Sequence, residues 1–320
     1  RRPPRSTLFP YTTLFRSEIR HQIHENPELG LQEFKTSALV AEKLRQWGYE
    51  VEQGLATTGV VATLKVGDGE KSIGLRADMD ALPIYENSGK PWASKHPGLM
   101  HACGHDGHPP ILRGAARYFA EPRRFNGTLR LIFQPAEEMI NGGEIMVKEG
   151  LFDRFPCDVI FGMHNMPGLP VGKFFFQPGA LMASMDQFHI TVRGCGGHGA
   201  IPHKAIDPVL VAAHITTALQ SIVSRNVDPL EAAVITVGSI VAGEAANVIP
   251  DSAEMKISVR SLSRDTRQLL LTRIPALAQA QAASFGATAE VTHVNGTPVL
   301  VNDEEMARFA WQIGRASCRG

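Results

Sequence analysis

Apolar residues recur at helical spacing from Ser17 through Ile19 and Ile23, until Pro27 and Gly30 stop the run. The same spacing returns over residues 33–47 and predicts an amphipathic helix closed by Gly48. Beyond it the pattern shortens to strand-length runs. Residues 60–66 and 73–76 read as strands separated by the turn Gly67-Asp68-Gly69, and 129–133 and 159–163 as two more. Residues 106–119 read as a helix, with Pro109 and Pro110 fitting only its first turn. This alternation predicts a mainly parallel, layered α/β domain.

A second unit starts near Gly179. Phe188, Ile190 and Val192 alternate as a strand, and 207–224 is an amphipathic helix with Pro208 early in it. Strands follow at 233–241 and 253–259, then a long helix at 265–283 that Pro275 should kink, then a strand at 287–293. The order β-α-β-β-α-β is that of a ferredoxin-like module. Helical sequence resumes after Pro298, so the module reads as an insertion. The expected organisation is a catalytic domain at 17–178, a smaller α+β lid or dimerisation domain at 179–294, and a return to the first domain at 295–312.

Both ends differ from the rest. Thr-Leu-Phe occurs twice between Thr7 and Phe15, and the tail from Ile313 breaks the acidic helical pattern that begins at Asp303. Residues 1–16 and 313–320 resemble translated adaptor sequence and are expected to be non-native; ordinary disordered termini are the alternative. On either reading Cys318 has no functional role.

Composition narrows the class. Of 320 residues, 43% are hydrophobic and 20% charged, enough for two sizeable cores. Lys plus Arg equals Asp plus Glu at 32 each, so overall charge predicts neither a nucleic-acid nor a membrane partner. No apolar run reaches the roughly 18 residues of a membrane-spanning helix. Four widely spaced cysteines in a chain this long point to a reduced, cytoplasmic setting.

The chemistry concentrates at His101-Ala102-Cys103-Gly104-His105-Asp106-Gly107-His108. Three histidines, a cysteine and an aspartate share eight residues. In a loop turned by Gly104, Cys103 and His105 can converge on one cation or flank two, and a thiolate can bridge two borderline metals. His101 and His108 read as supports, and Asp106 as the opening of the next helix. Asp78 and Asp80, Glu137 and Glu138, and His164 each lie just beyond a predicted strand, where open α/β sheets place their ligands. Adjacent side chains point apart, so one member of the Glu137-Glu138 pair can bind metal while the other serves as general base. A solvated helix start is the plainer reading of that pair. Asp78 and Asp80 could cap a turn, or Asp80 could orient a ligand. Cys157 reads as core, Cys195 as a small turn residue and His189 as exposed.

Four ordered motifs carry a family likeness: 76–83 (Arg-Ala-Asp-Met-Asp-Ala-Leu-Pro), the octapeptide, Gln134-Pro135-Ala136-Glu137-Glu138, and Met163-His164-Asn165. Together they resemble the M20 metallopeptidase superfamily, and most closely its amidohydrolase branch of hippurate hydrolases and N-acyl-amino-acid amidohydrolases. Gly196-Gly197-His198 and Asn247-Val248-Ile249-Pro250 resemble the lid of that family. The likeness covers residues 17–312.

The resemblance implies a zinc-peptidase-type catalytic domain with an inserted lid and a site for two divalent ions: zinc, manganese, cobalt or nickel. Cys103 would bridge them, and His105, Glu138 and His164 would complete the ligands. Glu137 would be the general base. His198 would polarise the scissile carbonyl in a neighbouring subunit of a homodimer, and Asn247 and Arg260 would hold the substrate carboxylate, a task suited to the planar guanidinium fork. The implied activity is hydrolysis of N-acyl amino acids, hippurate among them. Relatives carry a further ligand histidine and a Gly-Gly-Glu-Asp-Phe-like segment near the C-terminus that this sequence lacks, and many have an aromatic residue where Met166 stands. An impaired fragment that folds, dimerises and binds metal weakly is therefore the second reading; a dipeptidase or aminoacylase of the same superfamily is the third.

Overall fold

The computed structural model describes residues 9–138 and 141–318, with side chains described within 17–313. Residues 1–8 of the expected leader and 319–320 of the expected tail lie outside the described residues. The chain divides into two compact units, Arg1–Pro170 and Val171–Gly320.

The first unit opens with α1 (Phe9–Glu25) and α2 (Phe34–Gln46). Helix α1 begins upstream of Ser17, where the apolar pattern starts, because extending a formed helix by single residues costs little. At the start of α2, the Glu28 carboxylate accepts the Lys35 and Thr36 N–H groups at 2.9 Å each. Two orphan donors of the first turn are thereby satisfied. The inner face of α2 buries Val40, Ala41 and Leu44.

Five strands follow: β1 (Glu50–Leu55), β2 (Gly59–Val66), β3 (Ser72–Asp78), β4 (Gly127–Gln134) and β5 (Val159–Gly162), in spatial order β1-β2-β4-β3-β5. The expected mainly parallel sheet is corrected to a mixed one. β4 pairs parallel with β3 and β3 with β5, while β1–β2 and β2–β4 are antiparallel. The turn after β2 does not make a hairpin with β3, because β4 inserts between them. A parallel β3–β4 pair needs a crossover, and α3 (His108–Ala120) lies on it. Helices α4 (Gly142–Lys148) and α5 (Leu151–Arg154) precede β5.

Central strands are covered on both faces. Val60, Ala62, Leu131 and Phe133 pack with Val40, Leu44 and Leu112, while Val61 and Ile132 pack with Met146 and Leu151. Their near-continuous apolar sequence follows from this double burial. Before α3, Leu82 and Met100 exchange backbone hydrogen bonds at 2.9 and 3.0 Å, closing the intervening loop on itself.

Helix α3 starts at His108, two residues later than expected. Asp106 does not open it; its carboxylate is taken by Arg20 Nε at 2.8 Å and His24 Nδ1 at 2.9 Å.

The second unit contains β6 (Gly179–Met182), β7 (Ser184–Arg193), β8 (Gly197–His198), α6 (Pro208–Arg225), β9 (Ala233–Val241), β10 (Val248–Ile249), β11 (Ser252–Ser261), α7 (Arg264–Ala283), β12 (Thr288–Thr297), β13 (Leu300–Asn302) and α8 (Glu304–Cys318). The antiparallel sheet β12-β7-β11-β9, with α6 and α7 on one face, has the ferredoxin-like order read from the sequence. Phe188, Ile190, Ile215, Leu219 and Ile274 are buried in its core. Each such side chain contributes roughly 1.5–3 kcal/mol by leaving water. Asp207 caps α6 by accepting the Val209 N–H at 2.8 Å. Pro275 lies within α7, which runs on to Ala283. The smaller pairs are β8–β10 and β6–β13. Among the described residues, no helix is long and apolar enough to cross a membrane.

Candidate metal centre

Three parallel strands end side by side and set the site. Asp78 ends β3 in register with Gln134, the end of β4, and β5 ends at Gly162. Asp80, Glu137-Glu138 and His164 follow those ends, and the Cys103–His105 loop leads into α3.

His105 is the centre of the arrangement. It is fully buried, and its Nδ1 lies 3.0 Å from the Asp80 carbonyl and 3.1 Å from Asp80 Oδ1. Its Nε2 faces Glu138 Oε1 and Asp78 Oδ1, each at 3.8 Å. Both His105 Nε2 and Glu138 Oε1 are buried without a hydrogen-bond partner. Leaving such atoms unpaired is costly, and a cation between them would satisfy both. Cys103 Sγ lies 3.5 Å from His164 Nε2. Ligand atoms of Cys103, His105 and Glu138 all lie within 4.8 Å of one another, as do those of Asp78, His105, His108 and His164. Thiolate, imidazole and carboxylate donors at this spacing fit divalent borderline metals.

His108 belongs to the second group but is already engaged. Its Nδ1 contacts Asp78 Oδ1 at 2.5 Å and its Nε2 meets Asn165 Oδ1 at 2.7 Å. Its ring ties Asp78, at the end of β3, to Asn165, the residue after His164. Gly104 has φ +87°, which lets Cys103 and His105 converge, and a Cβ there would come within 2.5 Å of Asn165 Oδ1. His101 is also buried and joins neither group; burial lowers its pKa to about 4.

The electrostatics of the pocket favour positive charge. Burial disfavours the His105 imidazolium, but Asp80, Cys103 and Asp78 outweigh it and raise the pKa to about 11. The hydrogen bond to Cys103 is the main cause of the raised His164 pKa, and His105 and His164 in turn lower the Cys103 thiol. Burial opposes the Asp78 carboxylate, yet His108 and Arg76 hold it well below the ordinary range. Arg76 Nη1 donates to Asp78 Oδ2 at 2.6 Å. Glu137 is exposed at its side chain, but the walls around it desolvate the carboxyl enough to raise its pKa.

Asp80 binds the site together. Besides holding His105, its Oδ2 accepts the Glu138 N–H at 3.0 Å. In the second unit, His198 on β8 stands opposite Val248, and the Gly199 N–H donates to the Asn247 carbonyl at 2.8 Å. His198 and Asn247 are thus neighbours across one small ladder, and both are exposed. Arg260 is exposed on β11 of the four-stranded sheet, opposite Met185 and Val234.

Asn165, which meets the His108 ring, stands in the sequence only as part of the Met163-His164-Asn165 motif.

Comparison with known proteins shows the family. The profile of Peptidase family M20/M25/M40 matches residues 74–320. A hippurate hydrolase of Campylobacter jejuni subsp. jejuni is 48% identical over 93% of this chain and 78% of its own length. An N-acetyl-L-cysteine deacetylase of Bacillus subtilis is 41% identical over 89% of this chain and 68% of its own. Among solved structures, the YXEP protein of Bacillus subtilis, a dinuclear metal binding peptidase from the M20 family, superposes with a TM-score of 0.80 at 35% identity, covering 96% of this chain and 80% of that one. A mixed-sheet α/β unit followed by a ferredoxin-like unit, a cluster of candidate metal ligands at the strand ends and a match over most of the sequence place this chain in peptidase family M20/M25/M40.

Proposed function

We propose that this chain hydrolyses the amide bond of N-acyl amino acids, releasing a carboxylic acid and a free amino acid. The observation that carries the reading is the convergence of Cys103, His105 and Glu138 beside Glu137 at the ends of parallel strands. The names of the hippurate hydrolase and the N-acetyl-L-cysteine deacetylase support this substrate class.

Cys103, His105, Glu138 and His164 would hold two divalent ions. Bound there, such ions polarise a carbonyl and make water a nucleophile near neutral pH. Glu137, adjacent to Glu138, takes the proton of the attacking water and passes it to the leaving nitrogen. Asp80 keeps the His105 ring oriented so that Nε2 faces the site. Asn247 and Arg260 hold the substrate carboxylate, and His198 polarises the scissile carbonyl from the neighbouring subunit of a homodimer joined through the second unit. The reading places the enzyme in the cytoplasm, where Cys103 stays reduced.

The test is release of free amino acid from a panel of N-acyl amino acids, hippurate first, by the full chain loaded with zinc, manganese, cobalt or nickel. No release with any of these metals refutes the reading. Glu137→Gln should lower turnover by about 10²- to 10⁴-fold while metal binding persists; unchanged turnover removes Glu137 from the base role.

A further inference from the structure

Glu33 is fully buried, an unusual place for a carboxylate. It stands just before α2, yet it does not cap that helix, since Glu28 takes the first-turn donors. Its carboxylate points away to two groups distant in sequence. One oxygen accepts the Ala136 N–H at 2.8 Å, and the other accepts the Thr58 hydroxyl at 2.5 Å.

Ala136 sits at φ +49°, a backbone region that a residue with a Cβ enters only when its surroundings hold it there. Those surroundings are tight. A Cβ on Gly30 would come within 2.8 Å of the Ala136 Cβ, and the Ala136 carbonyl accepts the Gly142 N–H at 2.8 Å. The next two residues are Glu137 and Glu138. The Glu138 N–H is held by Asp80 Oδ2 at 3.0 Å. The peptide N–H groups on either side of Glu137 are therefore gripped by two buried carboxylates, Glu33 before it and Asp80 after it.

We propose that Glu33 is a positioning residue for the Glu137-Glu138 loop: by accepting the Ala136 N–H it holds the left-handed turn that aims the Glu137 carboxylate at the reacting atoms. Thr58 orients the Glu33 carboxylate for this task, and Gly30 leaves room for Ala136. The inference rests on the reading of Glu137 as general base, but the backbone grip can be measured without it.

The test uses the full chain with zinc and hippurate, comparing wild type, Glu33→Ala and Glu33→Gln. A carboxylate displaced by about 1 Å can lose about 100-fold in rate, so Glu33→Ala should lose kcat on that scale, with KM changing by less than about threefold. Glu33→Gln should recover most of the loss, because its carboxamide oxygen still accepts the Ala136 N–H. Hydrogen exchange at the Ala136 amide should quicken about tenfold or more in Glu33→Ala, while the Leu131 amide in β4 is unchanged. Wild-type kcat in a folded Glu33→Ala, or a Glu33→Gln no better than Glu33→Ala, overturns the proposal. If wild type cleaves no N-acyl amino acid, the functional reading fails and the exchange measurement alone decides the role of Glu33. If Glu33→Ala does not fold, the wild-type protein decides: slow exchange at Ala136 supports the grip, and exchange as fast as at Gly89 in the open loop overturns it.

Discussion

Oδ1 of Asp80 lies 3.1 Å from Nδ1 of His105, while Oδ2 of the same carboxylate accepts the Glu138 N–H. One side chain thus fixes the ring of one candidate metal ligand and the backbone of another. Asp80→Asn keeps the shape but weakens the acceptor facing His105 and offers an amide group where a carboxylate oxygen stood. Loss of such an outer partner typically costs about 10- to 100-fold in metal affinity. Zinc titration by calorimetry should show a loss of that order, and unaltered affinity would remove Asp80 from this role.

Gly104→Ala should disrupt the same centre from the other side. The backbone there has φ +87°, and the new Cβ would come within 2.5 to 2.8 Å of the Asn165 side chain. Left-handed backbone strain costs on the order of 1–3 kcal/mol, before any displacement of Asn165. Lowered thermal stability together with weakened zinc binding is the expected result. A variant matching wild type in both would show that the turn tolerates a side chain.

His24 supplies a pH-dependent contribution to stability. Its pKa is raised, mainly by the hydrogen bond to Asp106, with Glu86 adding and burial opposing. Arg20 shares the Asp106 carboxylate, and the His101 ring lies 6.3 Å from that of His24. A raised imidazole pKa stabilises fully below the ordinary value of 6.5 and loses the effect as pH rises through the folded value. The urea midpoint of His24→Asn should therefore fall further below wild type at about pH 6 than at about pH 9. An equal deficit at both would refute the linkage.

Asp186 is the buried anchor of the second unit. Arg267 grips both carboxylate oxygens at 2.8 Å, and His293 Nε2 lies 2.9 Å from Oδ1. Breaking a buried pair costs about 3–5 kcal/mol, and the partial exposure of Arg267 and His293 puts Asp186→Ala near the lower end. Faster hydrogen exchange throughout β12 would show it; exchange unchanged along that strand would not fit.

Much of this was legible in the sequence, for identifiable reasons. The ferredoxin-like order could be read because the four long strands and two long helices of that sheet stand as separate runs along the chain, whereas the short strands β6, β8, β10 and β13 leave no run long enough to read. The metal-binding candidates could be read because several segments each end in a ligand type. Strand β1 escaped notice because Glu50, Gln53 and Gly54 interrupt any alternation on an edge strand that is largely solvated. The mixed sheet escaped because strand order depends on β4, which the chain supplies after both β2 and β3. Asp186 shares the inward parity of Phe188, Ile190 and Val192, but its partner Arg267 lies 81 residues further along the chain. Glu33 is hidden in the same way, with Ala136 103 residues away. Polar contacts made across such separations leave no local period to detect.

The backbone exchange between Leu82 and Met100 has a consequence for how such an enzyme can diversify. It seals the loop between them at its neck, after Asp80 and before Cys103. The register that sets Asp78 beside Gln134 runs through β3 and β4 and never through that loop. Changes there that spare Glu86, the loop's contact to His24, would alter its exposed surface while the β3–β4 register stayed in place. The register of the strands and the sequence of that loop are thus set in separate stretches of the same chain.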